Sequence, residues 1–443
     1  TNNICLICQN NLRRISFFHF VNFSKNYHIF DIMRTKRLSA DKVLEDDTWS
    51  DLKQFRKMPE INFDRMQRYR MERIKAEMKK YDVSMCVLVS PISLRYAINY
   101  RSFGQLIAHM PCTYLFIPAD GPLMLYNAFD PAHPERSKRI GQPISYFYGG
   151  DELEKYAGKF AQEILDYLAE TGSASRRIAV EYVNPSITQA LMKLDFEVID
   201  GVLITERARL IKSADEIACI RWSVAVAEHG AAKLKQALKP GVSEVQLWGL
   251  LNYTNLANNG DWHDGRMLAS GPRINPWLQE ASERKIESGD LMGFDTDMIG
   301  PMGYCADISR TFHCGPDKPT KRQKELYRLT MDEIAFNLKL IKPGVTFSEL
   351  QENSFPVPEE FHKNAYPCIV HGVGMCDEYP HIHPKFRGPL PYDEALQTGM
   401  VVCVESYMGA VGERDGVKLE QQVLVTDEGY ELLSLFPYEE DLI

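Results

Sequence analysis

Three acids, Asp295, Asp297 and Asp307, interrupt the otherwise apolar segment Phe294–Phe312, FDTDMIGPMGYCADISRTF. The pattern of that segment predicts two adjacent β-strands. Alternation along a strand puts Asp295 and Asp297 on one face and Met292, Phe294 and Thr296 on the other. Carboxylates on the inner face of an apolar strand are costly to bury without a positive partner, and a metal ion is the simplest one. Further ligands are at hand. His371 lies in VHGVGMCDEYP, beside glycines that let backbone approach closely. Glu405 (in MVVCVES) and Glu420 (in VKLEQQVLV) interrupt two more apolar runs, and the intervening turn GERDG predicts a hairpin in which they face each other. Any one of these acids alone would read as a salt-bridged strand residue, and the histidine as a core residue. Together, five carboxylates and one imidazole make a hard-cation site with capacity for one or two divalent ions.

These residues need a scaffold, and the chain is long enough to supply two domains: 443 residues, 44% hydrophobic and 25% charged. A net charge of -9, with no basic run, argues against nucleic acid as a partner. No apolar stretch reaches the ~20 residues that span a bilayer, so no membrane span is expected. Ten scattered cysteines, several in strand-like contexts (Cys86, Cys305, Cys403), suggest a reducing compartment and assign the chain to the cytoplasm. Residues 1–32 precede a typical soluble start at Met33 and read as a disordered or non-native extension. From there to residue 205 helices and strands alternate. Helices are predicted at Asp64–Lys80, from Pro91, and at Lys155–Glu170, with strands at Met85–Ser90, TYLFIP, LMLYNAF, RIAVEY and FEVID. A long helix follows, capped by Ser213 with Glu216 completing a capping box. The phrases LKPGVSEVQL and IKPGVTFSEL each close one helix and cap the next, an echo that suggests duplication and pseudo-twofold symmetry.

With these pieces in place, residues 206–430 resemble the pita-bread metallohydrolase family that includes methionine aminopeptidase, aminopeptidase P, prolidase and creatinase. The resemblance is carried by RLIKSADEIA, GYCADISRT, HGVG, VES and KLEQQVLVTDEG, in that order. SLRYAINY in the first half is similar to the creatinase and prolidase branch. The implied fold class is α/β plus α+β: a creatinase-like N-terminal α/β domain over 33–205, then a pita-bread domain over 206–443 with pseudo-twofold symmetry. The implied metal ligands are Asp307, His371, Glu405 and Glu420, with Asp295, Asp297 or both. A homodimer is implied as well.

The departures from the family pattern sharpen the functional expectation. Family peptidases carry a histidine where this chain has Glu378, and another after the segment that here reads SGPRINPWLQE. Those histidines support the tetrahedral intermediate of amide hydrolysis, so their loss weakens the peptidase reading. The variants DTD…DISRT, SGPRINPWLQE, HGVGMCDEYP and KLEQQVL resemble the DddP-type dimethylsulfoniopropionate lyases, which cleave a C–S bond on this fold. That resemblance implies Asp377 as the general base, Tyr366 at the substrate pocket, and iron as the metal, with manganese or zinc as alternatives. The expected substrate is a small zwitterion. A carboxylate base within reach of the α proton, and an aromatic ring to hold a sulfonium, suit such a reaction. Arg273 offers a partner for a substrate carboxylate or, equally, for Glu280. Glu378 joins the expected substrate contacts. The alternative expectation is a metallohydrolase of the same family, acting on Xaa-Pro peptides or on the C–N bond of a small creatine- or ectoine-like compound.

Overall fold

The computed structural model of the chain describes residues 58–101, 103–110, 112–127, 137–139 and 150–443; the extension expected at residues 1–32 lies outside them. The first half is built on a six-stranded mixed sheet in the order β4-β3-β2-β1-β5-β6. Its strands are β1 (Met85–Leu88), β2 (Tyr114–Pro118), β3 (Met124–Asn127), β4 (Ser137–Arg139), β5 (Arg177–Val180) and β6 (Glu197–Asp200). The helices of this half are α1 (Phe63–Lys80), α2 (Pro91–Ile98), α3 (Gly104–His109), α4 (Leu153–Glu170), α5 (Pro185–Lys193) and α6 (Gly201–Arg209). Alternate residues of β1 serve two cores. Met85 and Val87 pack with Phe160 and Ile164 of α4, whereas Cys86 and Leu88 pack with Met66, Ile74 and Met78 of α1 and Ile204 of α6. Helices on both faces explain why β1 is apolar throughout rather than alternating.

The expected domain boundary at 205/206 falls inside α6, a helix continuous from Gly201 to Arg209. The helix breaks only after Arg209, and α7 (Ala214–Ala237) starts behind the Ser213–Glu216 capping box. The apolar cluster that holds Cys86, Leu88 and Ile204 continues into α7 through Ile220 and Val224 and reaches Met298, Cys305 and Cys403. The two halves thus share a core.

The second half repeats one plan twice. Ser243 caps α8 (Glu244–Ala257) with Gln246, and Thr346 caps α10 (Phe347–Glu352) with Glu349. Ser243 bridges to Lys285 and Thr346 to Ala395, each shortly before a central strand: β9 (Leu291–Asp295) or, later in the chain, Val401–Met408. The two phrases singled out in the sequence are therefore equivalent points of a pseudo-twofold pair. Short strands β7 (Trp262–His263) and β8 (Leu268–Ser270) precede β9; β10 (Met298–Ile299), β11 (Cys305–Ala306) and β12 (Ser309–His313) follow it. After α9 (Lys321–Leu338) and α10 come β13 (Val370–Val373), β14 (Asp377–Ile382), β15 (Val401–Met408), β16 (Val417–Thr426) and β17 (Gly429–Leu432), ordered β14-β13-β15-β16-β17.

Phe294–Phe312 departs from the two continuous strands expected. β9 does pair with β12, with Asp295 opposite Ser309, but between them β10 and β11 form a smaller hairpin. Asp297 does not continue the strand face of Asp295; it turns at φ 31°, a left-handed conformation that Asp tolerates better than most residues. Thr296 holds this turn, donating from Oγ1 to the Ala306 carbonyl (2.7 Å) and accepting from Ile308 N–H (3.0 Å).

Behind the second sheet, the buried Glu333 of α9 accepts a hydrogen bond from Ser406 Oγ at 2.5 Å. Burial raises its carboxyl to about 8, with Ser406 opposing only part of the shift. A raised acid favours the folded state most below its unfolded pKa, and that stability is lost as pH climbs through the folded value. Glu333→Gln, which removes the ionisation, should gain stability over the wild type progressively between about pH 5 and pH 8, by about 1.4 kcal/mol per unit of pKa shift. Urea titrations across that range measure it; a constant difference between the two proteins would refute the assignment.

Candidate metal centre

Strand register builds the site. β15 and β16 pair antiparallel with Glu405 directly opposite Glu420, and β13 lies on the other side of β15 with His371 opposite Cys403. β9 delivers Asp295, the turn after it delivers Asp297, and Asp307 stands just before β12. Their ligand atoms gather: Asp295, Asp297 and Asp307 lie within 4.8 Å of one another, as do Asp307, His371, Cys403 and Glu420, and likewise Asp295, Glu405 and Glu420.

The imidazole is oriented for coordination. His371 Nδ1 is 3.0 Å from the Gly372 carbonyl, which can only accept, so Nδ1 carries a hydrogen and Nε2 is the nitrogen turned toward the acids. Around Nε2 stand Glu405 Oε1 at 3.2 Å, Asp307 Oδ2 at 3.5 Å and Glu420 Oε1 at 3.7 Å. Three buried carboxylate oxygens in this set, Asp295 Oδ1, Asp307 Oδ1 and Glu420 Oε1, have no hydrogen-bond partner among the described residues. Buried polar atoms are seldom left so, and orphaned oxygens around one imidazole fit a divalent cation. The acids repel one another accordingly. Burial and neighbouring carboxylates push Asp297 and Asp307 well above the usual carboxylate range.

One residue of the site escaped the sequence reading. Lys418, fully buried, puts Nζ 2.6 Å from Glu405 Oε2, 2.9 Å from Asp295 Oδ2 and 2.6 Å from Ser309 Oγ, with Glu420 Oε2 at 3.5 Å. Burial opposes its charge, but the three acids outweigh that and hold its pKa well above the lysine value. Despite burial, Glu420 is held well below the carboxylate range by Lys418 and His371. The signal was available: Lys418 is two residues before Glu420, hence on the same strand face.

Tyr366 lies against this cluster, its ring 4.4 Å from Lys418 Nζ, so one face already meets a cation. Asp377, first residue of β14, has Oδ1 3.8 Å from His371 Nδ1, and its side chain is 58% exposed. It is the open carboxylate beside the buried set. Two expected substrate contacts lie elsewhere. Glu378 turns away from the cluster into an ion pair with Arg209 (2.7 Å) and Lys212 (3.2 Å). Arg273 is engaged by the buried Glu244, which also binds Ser270 and Ser282, and donates to the Glu280 carbonyl at 2.8 Å. The Glu280 carboxylate takes Arg266 instead. Both placements have one cause: a buried charge is satisfied by the nearest opposite charge, and the fold brought those partners from afar.

Residues 218–427 match metallopeptidase family M24, and residues 70–211 match the creatinase/prolidase N-terminal domain. The chain is 35% identical to a dimethylsulfoniopropionate lyase DddP of Roseovarius nubinhibens, over 86% of this chain and 88% of that protein. It is 32% identical to the protein of that name from Roseobacter denitrificans, over 85% of this chain and 87% of the other. Among solved structures it resembles an Xaa-Pro dipeptidase from Bacillus anthracis (TM-score 0.67, 22% identity, covering 84% of this chain and 99% of that one). A prolidase from Thermococcus sibiricus is also similar (TM-score 0.68, 20% identity, covering 86% and 99%).

Proposed function

The chain belongs to metallopeptidase family M24, with that family's creatinase/prolidase N-terminal domain, and on that premise we propose that it is a lyase converting dimethylsulfoniopropionate to dimethyl sulfide and acrylate. The observation that carries this reading is the pair of residues 377 and 378. An accessible carboxylate stands at the cluster, while the position where family peptidases hold a histidine is a glutamate buried in ion pairs. The relatives bearing the lyase name support the same reading.

Asp295, Asp297, Asp307, His371, Glu405 and Glu420 would hold one or two divalent ions, iron first, with manganese or zinc as alternatives. A cation held there supplies Lewis acidity to the substrate carboxylate, making the neighbouring α proton easier to remove. Asp377 takes that proton. The electron pair left behind forms the Cα–Cβ double bond, the Cβ–S bond breaks, and sulfur departs with its pair as neutral dimethyl sulfide. Lys418 fixes one oxygen each of Asp295 and Glu405, and so fixes which lone pairs face inward. Tyr366 would offer its hydroxyl and the ring face opposite Lys418 to the sulfonium end, the other face being taken by Lys418.

We assign the protein to the cytoplasm as a homodimer. Its described cysteines are all free, and no described helix is long and apolar enough to cross a membrane. Sedimentation checks the dimer. The reaction itself is tested by headspace detection of dimethyl sulfide from iron-loaded protein and dimethylsulfoniopropionate. Robust release is expected. Metal-loaded protein that releases none but cleaves an Xaa-Pro dipeptide would establish the hydrolase instead.

A further inference from the structure

We propose that Arg209 and Lys212, in the segment joining the two halves, are positioning residues that hold Asp377 against His371 by gripping Glu378; the proposal rests on the role given to Asp377 above. Successive residues of a strand point to opposite faces, so the direction of Glu378 sets that of Asp377. Glu378 Oε1 accepts from Arg209 Nε at 2.7 Å and from Met375 N–H at 3.0 Å, and Oε2 accepts from Lys212 Nζ at 3.2 Å. The next residue is held from the same segment: Tyr379 N–H donates to Glu206 Oε2 at 2.8 Å, and Glu206 Oε1 accepts from Arg209 Nη2 at 2.9 Å. The turn before β14 is shaped around the grip, since a Cβ at Gly374 would collide with the Glu378 carboxylate.

The grip is anchored at both ends. Arg209 Nη1 is 3.5 Å from Ser93 Oγ, which donates to the buried Glu181 at 2.5 Å; Glu181 also accepts from Val89 and Ser90 N–H at 3.2 Å. Lys212 N–H donates to the Gly399 carbonyl at 2.9 Å, just ahead of β15 and Glu405. A path of hydrogen bonds thus runs from the first-half sheet to the strand that begins with Asp377. A buried ion pair is weak evidence of stabilisation by itself. What gives this one a positional reading is that it fixes the residue beside the open carboxylate, while Asp377 has no strong partner of its own among the described residues, His371 Nδ1 standing 3.8 Å away.

Lys212→Met is the chosen variant, because Arg209 remains to pair Glu378. It should lower kcat at least tenfold with KM and metal content within twofold of wild type. In an Asp377→Ala background it should lower residual turnover no further. Equal losses in both backgrounds, or an unchanged kcat, would overturn the proposal. Deuterium uptake over residues 372–382 gives a readout independent of any activity: faster exchange confined to that hairpin is expected, and unchanged exchange overturns the grip. If the wild type releases no dimethyl sulfide, the lyase reading fails while the exchange result still decides the grip. Should Lys212→Met not fold, Arg209→Lys takes its place. It keeps the charge but loses the second donor to Glu206, and an intermediate kcat loss with the same non-additivity is then expected.

Discussion

Asp377→Asn should cut the kcat for dimethyl sulfide release by about 10²–10⁴-fold, the range a positioned general base supplies, and leave bound metal unchanged. The amide keeps the size of the carboxylate but cannot take the α proton. Asp377 is outside the group of orphaned oxygens, its side chain is 58% exposed, and His371 Nδ1 stands 3.8 Å from it, so its loss should not release the cation. Metal analysis alongside rapid headspace kinetics separates the cases. Lost turnover with lost metal would make Asp377 a ligand; retained turnover with retained metal would move the base elsewhere. KM should change little, because the proposed reaction leaves the charged ends of the substrate to other groups.

The largest effect on stability is expected at Lys418. Lys418→Met removes the ammonium from among Asp295, Glu405 and Glu420 and leaves Ser309 Oγ without its donor. Breaking a buried charge pair costs about 3–5 kcal/mol, because the acids that remain must be neutralised or must repel. Burial and Glu420 already raise Glu405 to about 8 with the lysine present. The metal-free protein should therefore lose most, and the metal-loaded protein less, since a cation compensates the same acids. Denaturant unfolding of both forms measures the gap. Equal destabilisation of the two would mean that Lys418 acts in packing and not in charge.

The positions of these two residues show how unequally the site was legible. Glu405 and Glu420 could be paired from the sequence because a hairpin turn fixes register, and register fixes who faces whom. Lys418 followed from the same alternation and was overlooked amid an apolar run. Asp297 misled for the opposite reason. Alternation assumed a continuous strand, whereas a left-handed turn held by Thr296 re-aims it, and nothing local in DTD announces that turn.

The sequence by itself determined the α/β first half, the capped helices, the repeated Pro-Gly phrase and the presence of acids in apolar strands. Each of these depends on periodicity or on a contact between near neighbours, such as the Ser213–Glu216 box. Only the tertiary structure decided what Arg273 and Glu378 do. Their partners, Glu244 for one and Arg209 with Lys212 for the other, come from distant segments. A buried charge takes whichever opposite charge the packing brings to it, and one-dimensional spacing carries no record of that choice.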